Sequence, residues 1–142
     1  MIATGTSNWA GNWKEGSGTI STKSDTLKNS PYSFSSRFEG TPGASPEELL
    51  AAAHAACFNQ ALSNVLGQNG FLSEVINTSV DIELGYGEDK HPAIKSSHFT
   101  VTAKVSGITN EEFQKHADRS RQTCTISKIL NIEITLNATL IS

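Results

Sequence analysis

Cysteine is scarce in this chain. Two residues in 142 are too few to staple a small fold with a disulfide framework. Histidine is scarce as well, and its four copies, His54, His91, His98 and His116, do not cluster. With no CxxC and no HExxH, metal-ligand spacing is missing and neither a metal nor a cofactor is expected. Gly-rich phosphate loops, GxSxG elbows and nucleotide fingerprints are also lacking. The chain sets 11 Lys and Arg against 14 Asp and Glu, a formal net charge of −3, and has no basic stripe of the kind a nucleic-acid partner requires. No run of 18 apolar residues occurs, so no membrane span is expected. Met1 to Gly5 shows neither a basic nor an apolar signal region, and no secretory leader is read there. Two thiols in such a chain are expected to stay reduced, which suits a cytoplasmic location.

What is present suits one globular domain over residues 1–142. Hydrophobic residues make up 37%, and a chain of this length can bury a core without staples. Residues 7–22 read as a hairpin: Ser7 to Trp13 as the first strand, Lys14 to Gly18 as the turn, Thr19 to Thr22 as the return. Ser24 to Pro31 is polar and reads as loop, while Tyr32 to Ser35 alternates and predicts a strand running on to Gly40. Thr41-Pro42-Gly43-Ala44 is turn chemistry.

Ser45-Pro46-Glu47-Glu48 then signals a helix start. Ser45 is placed to cap, Pro46 takes the first helical position, and Glu48 completes a capping box. The helix should run from Pro46 to about Gly67, ended by Gly67 or Gly70. Leu49 through Leu66 place apolar side chains around nearly its whole circumference, which predicts burial on all sides, by sheet, by a second subunit or by both. Val75 to Tyr86 and Phe99 to Val105 alternate as strands. A second helix opens at Thr109-Asn110-Glu111-Glu112 and runs to about Arg121. Cys124 precedes a short helical run, Ile126 to Leu130, and Ile132 to Leu140 alternates as a last strand. Segregated strands and helices in this order mean α+β.

The two thiols differ in sequence context. Cys57 lies mid-helix among alanines, where a thiol is inert unless something lowers its pKa; His54, one turn earlier, is the nearest helper, although its ordinary role would be a hydrogen-bonded core histidine. Cys124 looks better activated, standing before helical N–H groups with Lys128 one turn on. Either cysteine could instead be a buried small hydrophobe, and their proximity is open at this point.

Three segments resemble the signature of the OsmC/Ohr family of hydroperoxide reductases. They are Arg37-Phe38-Glu39-Gly40, Ser45-Pro46-Glu47-Glu48-Leu49, and Ala52-Ala53-His54-Ala55-Ala56-Cys57-Phe58. The run Cys124-x-x-Ser127-x-x-Leu130 resembles that family's second-cysteine motif, and the wording around Cys57 is nearer the OsmC branch than the Ohr branch. The resemblance implies an OsmC-like fold, with antiparallel sheets around a long central helix and an intertwined homodimer. It further implies a cysteine-based peroxidase acting on organic hydroperoxides, with hydrogen peroxide as a further substrate. By position Cys57 would be the peroxidatic nucleophile, Cys124 the resolving thiol, Arg37 the active-site arginine and Glu47 the carboxylate that holds it. The implied reductant is a dithiol, of the kind carried by a lipoylated partner protein.

Glu47 and Cys57 stand ten residues apart on one expected helix, roughly 15 Å at ~1.5 Å per residue. If they share a site, Glu47 and Arg37 come from the partner subunit, which agrees with the implied dimer. One departure stands out: the family usually has proline directly after the second cysteine, and here it is Thr125. Thr125 either loosens the Cys124 turn or caps it. The rival readings are a ligand-binding protein of the same fold, with Cys57 only a packing residue, and a redox sensor signalling through its disulfide.

Overall fold

A computed structural model describes the whole chain, Met1–Ser142. It divides into two compact units, Met1–Leu49 and Leu50–Ser142. No helix is long and apolar enough to cross a membrane.

In the first unit β1 (Gly5–Ala10), β2 (Ser17–Thr22) and β3 (Ser30–Ser33) form an antiparallel meander in that order. The expected hairpin is there with its turn displaced, since Trp13 lies in the turn and not in the strand. Gly16 packs so close to the turn that an added Cβ would meet the Ala10 and Asn12 carbonyl oxygens at 2.5 Å. Only glycine fits there.

The strand expected to continue to Gly40 stops at Ser33, and Phe34–Phe38 form a short helix, α1. Ser33 caps it through a box: Ser36 N–H donates to Ser33 Oγ at 3.1 Å, and Ser33 N–H donates to Ser36 Oγ at 2.9 Å. Two serines three apart are a start signal of the same logic as Ser/Thr-x-x-Glu. Here it overrides the alternation of Tyr32 and Phe34. The chain then folds back over α1. Ala44 N–H donates to the Pro31 carbonyl at 2.8 Å, and the Ser36 hydroxyl donates to the Ala44 carbonyl at 2.8 Å.

α2 (Pro46–Gln68) begins where expected, with Ser45 Oγ accepting from Glu48 N–H at 3.1 Å. It ends in a Schellman turn: Phe71 N–H donates to Leu66 C=O, Gly70 N–H to Gly67 C=O, and Gly70 adopts φ +81.

In the second unit β4 (Ser73–Tyr86) pairs antiparallel with β5 (Pro92–Val105), and β6 (Glu133–Ile141) pairs parallel with β5. The sheet is therefore mixed. α3 (Asn110–Thr123) and a single 3-10 turn at Ser127–Ile129 lie between β5 and β6, a connection long enough for a parallel partner. α3 opens with the expected box between Thr109 and Glu112. The core joins Phe58, Leu62 and Leu66 of α2 to Phe99, Val101, Ala103 and Val105 of β5 and to Phe113 of α3. A buried Phe or Leu side chain of this kind stabilises by about 1.5–3 kcal/mol.

Within the single chain, α2 is buried on its sheet-facing stripe. His54, Phe58, Leu62, Val65 and Leu66 are buried, while Ala52, Ala53, Ala56 and Gln60 are exposed in the single chain.

Candidate active site

The first unit holds a cation–carboxylate pair. Arg37 sits in the last turn of α1 and Glu47 in the first turn of α2, and the fold-back at Gly43 brings them together. Gly43 has φ +137, and a Cβ there would lie 2.8 Å from Ser36 Cβ, so the close crossing needs glycine. Arg37 Nε donates to both Glu47 oxygens at 3.1 and 3.2 Å, and Nη2 donates to Oε1 at 2.6 Å. The Glu47 side chain is 11% exposed and that of Arg37 33%, so the guanidinium keeps a free edge. The guanidinium lies 4.8 Å from the Phe38 ring centroid. Around it Trp9, Trp13, Tyr32, Phe34 and Phe38 line an aromatic cleft of about 300 Å³.

The second unit holds the thiols. On α3 the stripe Phe113, Ala117, Ser120 is buried, and the same 4-3-4 spacing carries Cys124 inward, to 1% exposure. On α2 Cys57 lies beside the core stripe and not on it, half-buried, at the head of Cys57, Ala61, Asn64 and Gln68. These residues, with Arg119, Thr123, Cys124 and Thr125, line one cleft of about 380 Å³.

The two thiols share this cleft, and their surroundings separate them. Burial pushes the Cys57 thiol up, but the Cys124 thiol, the Ile126 and Thr125 amides and the Thr125 hydroxyl donate to its sulfur and carry it below the ordinary value. Cys124 goes the other way, raised by burial and then by donation to Cys57, which the amides of Ser127 and Ile126 and the Ser127 hydroxyl do not offset. This reverses the expectation that Cys124 is the better activated thiol. Cys124 is the C-cap of α3, with φ −52 and ψ 131, and the amides after it serve mainly its neighbour. The donors to Cys57 are remote in sequence, so its alanine-rich context hid them.

His54 is a hydrogen-bonded core histidine and no partner to Cys57. It is fully buried, packs edge-on against Phe99, and joins Ser97 Oγ through Nδ1 at 2.9 Å and Ser127 Oγ through Nε2 at 2.7 Å. A neutral imidazole donates at one nitrogen and accepts at the other, so the two serines take opposite roles. The bond to Ser127 ties the turn after Cys124 to α2. Burial lowers the pKa of His54 below its ordinary value. The unfolded chain takes up a proton near pH 6.5 and the folded one resists it, so stability is complete above that pH and falls as pH drops through it. We predict that melting temperature declines more steeply from pH 7 to pH 5 in the native protein than in His54→Gln; parallel slopes would contradict this.

The structure thus brings Arg37 to Glu47 and Cys57 to Cys124. Trp9, Phe34 and Phe38 line the Arg37 cleft, whereas Phe58 is buried in the core and Phe71 packs against it. Trp13, Tyr32 and Arg119 were not anticipated. Only the cleft face of α2 had a readable signal, in the spacing of Cys57, Ala61, Asn64 and Gln68.

Comparison with known proteins establishes the family. The family model described as OsmC-like protein matches residues 38–138. Peroxiredoxin OsmC of Escherichia coli is 41% identical over 133 residues, covering 94% of this chain and 92% of that protein. Organic hydroperoxide resistance protein-like 1 of Staphylococcus saprophyticus is 32% identical over 104 residues, covering 70% of this chain and 71% of that protein. The crystal structure of the organic hydroperoxide resistance protein OhrB of Bacillus subtilis superposes with a TM-score of 0.72 at 22% identity, over 96% of this chain and 98% of that one, and so shares the α+β fold. A match over this much of the length, on the segments that carry Glu47, Cys57 and Cys124, leaves one assignment: the chain belongs to the OsmC-like protein family.

Proposed function

We propose that this chain is a thiol-dependent peroxidase that reduces organic hydroperoxides to alcohols, with Cys57 as the peroxidatic and Cys124 as the resolving cysteine. The observation that carries this reading is two free thiols on one cleft, Cys57 half-buried and Cys124 buried behind it. A thiolate is the nucleophile. The Cys57 sulfur attacks one peroxide oxygen, an S–O bond forms, the O–O bond breaks, and the electron pair leaves on the alkoxide, which takes a proton to become the alcohol. Cys57 is left as a sulfenic acid. Cys124 then attacks that sulfur, forming the disulfide and releasing water. An external dithiol, of the dihydrolipoyl type, returns both residues to thiols.

Arg37 is assigned the charge developing on the leaving oxygen, and Glu47 the task of holding the guanidinium by its bidentate pair. The aromatic cleft at Arg37 favours a peroxide with an apolar organic group over hydrogen peroxide alone. Relatives named peroxiredoxin and organic hydroperoxide resistance protein support the same chemistry. The chain is further proposed to act as a single domain in a two-fold homodimer, with Arg37 and Glu47 of the partner subunit completing each thiol site. Support comes from the ten-residue helical separation of Glu47 and Cys57 and from the exposed Ala52, Ala53 and Ala56 face of α2. Two free thiols lining one cleft suit a reducing compartment, and a cytoplasmic location is proposed on that ground.

Turnover tests the reading. Catalytic amounts of protein with excess dihydrolipoamide should consume cumene hydroperoxide far faster than the dithiol alone, and sedimentation at micromolar concentration should give twice the 15.2 kDa chain mass. Consumption no faster than the dithiol background would contradict the activity, and a clean 15.2 kDa species would contradict the dimer.

A further inference from the structure

We propose that Thr125 is a catalytic residue of the thiol site, its backbone amide and its hydroxyl both holding the Cys57 sulfur as the thiolate. The inference rests on the reading of Cys57 as the reactive thiol. Its geometry begins at Cys124, where α3 ends and ψ turns to 131. The Cys124 amide is still committed to the helix, donating to Ser120 C=O at 2.9 Å, and the ladder resumes only with Lys128 N–H on Cys124 C=O at 3.1 Å and Ile129 N–H on Ile126 C=O at 3.1 Å. Between these the Thr125 and Ile126 amides take no backbone carbonyl and the Thr125 hydroxyl takes no other partner, which leaves all three for the Cys57 sulfur on the same cleft. Thr125 is exposed and lines the cleft with both cysteines, so its hydroxyl reaches the sulfur from the open side.

Two of the four donors to Cys57 therefore belong to one residue, at the position where the family pattern puts proline. Proline has neither an amide hydrogen nor a hydroxyl, so this substitution does more than loosen or cap a turn. It adds donors to the reacting atom. A carboxylate holding two or three backbone donors drops by about two units, which scales to roughly 0.7 unit per donor.

The test reads ionisation of Cys57, not turnover. Alkylation by iodoacetamide is followed against pH, with the modified residue located by peptide mass. Thr125→Ser keeps both donors and should reproduce the native midpoint. Thr125→Val keeps the amide alone and should raise the midpoint by about 0.7 unit, and Thr125→Pro by about 1.4. Thiolate nucleophilicity rises with pKa at a slope of about 0.4–0.5, so the high-pH plateau should climb in Val and Pro while the rate at pH 7 falls. A merely disordered turn has no reason to produce that crossing. A midpoint that stays within about 0.2 unit of native in Thr125→Val, or moves down, overturns the proposal, whether or not Thr125→Pro folds. A raised midpoint in a protein that consumes no peroxide upholds Thr125 and overturns the peroxidase reading instead.

Discussion

Cys57→Ser should abolish hydroperoxide consumption, with a loss of roughly 10⁴-fold or more, the scale seen when a nucleophile is removed from an otherwise intact site. A serine hydroxyl in this position does not ionise near neutral pH, and the donors from Cys124, Thr125 and Ile126 have no thiolate to hold. Cys124→Ser should behave differently. It keeps a hydroxyl donor beside Cys57, so the first equivalent of peroxide is consumed at close to the native rate, but no disulfide can form and turnover stops with Cys57 at the sulfenic or sulfinic stage. Because the Cys57 pKa lies below the ordinary thiol value, the pH profile of the first-turnover rate should lie on the acid side of a free thiol's and fall as acid protonates the sulfur. Stopped-flow consumption of one equivalent separates these outcomes. Equal rates for native protein and Cys57→Ser would remove Cys57 from the chemistry.

The second large effect concerns the Arg37–Glu47 pair. Arg37→Met should lower turnover by about 10²–10³-fold, as expected when a donor to developing negative charge is removed, and should also destabilise the fold. Glu47 is nearly buried and accepts three hydrogen bonds from Arg37. Without the guanidinium it becomes an uncompensated carboxylate. Glu47→Gln leaves the charge of Arg37, which reaches water along its exposed edge, so its cost in stability should be the smaller of the two. A double-mutant cycle by denaturant unfolding should give a coupling of roughly 1.5–3 kcal/mol, the range for hydrogen bonds to charged groups. A coupling below about 0.5 kcal/mol would place the pair with ordinary surface bridges.

Elements whose instructions lie in consecutive residues were readable in advance. Ser45-Pro46 and Thr109-x-x-Glu112 start α2 and α3 where expected, and the alternation of Phe99, Val101, Ala103 and Val105 marks the core strand. α1 was missed because Ser33 and Ser36 cap each other in a stretch whose aromatics also alternate. The parallel pairing of β6 was not legible, since alternation gives a strand its faces but not its neighbour's direction.

The order and spacing of Arg37, Glu47, Cys57 and Cys124 were visible in the sequence, but their environments were not. What distinguishes the two thiols is four donors arriving at Cys57 from a turn nearly seventy residues further on, together with the burial of Cys124 by α3 packing. His54 illustrates the same limit: one turn from Cys57 in sequence, it spends both nitrogens on Ser97 and Ser127.

The central claim is that Cys57 reacts with peroxide and Cys124 resolves it. Reduced protein mixed with one equivalent of cumene hydroperoxide, followed by thiol counting and intact mass, tests it most directly. The account predicts that both thiols disappear with a mass loss of about two hydrogens, and that neither change occurs in Cys57→Ser. Two free thiols and an unchanged mass after minutes would contradict it.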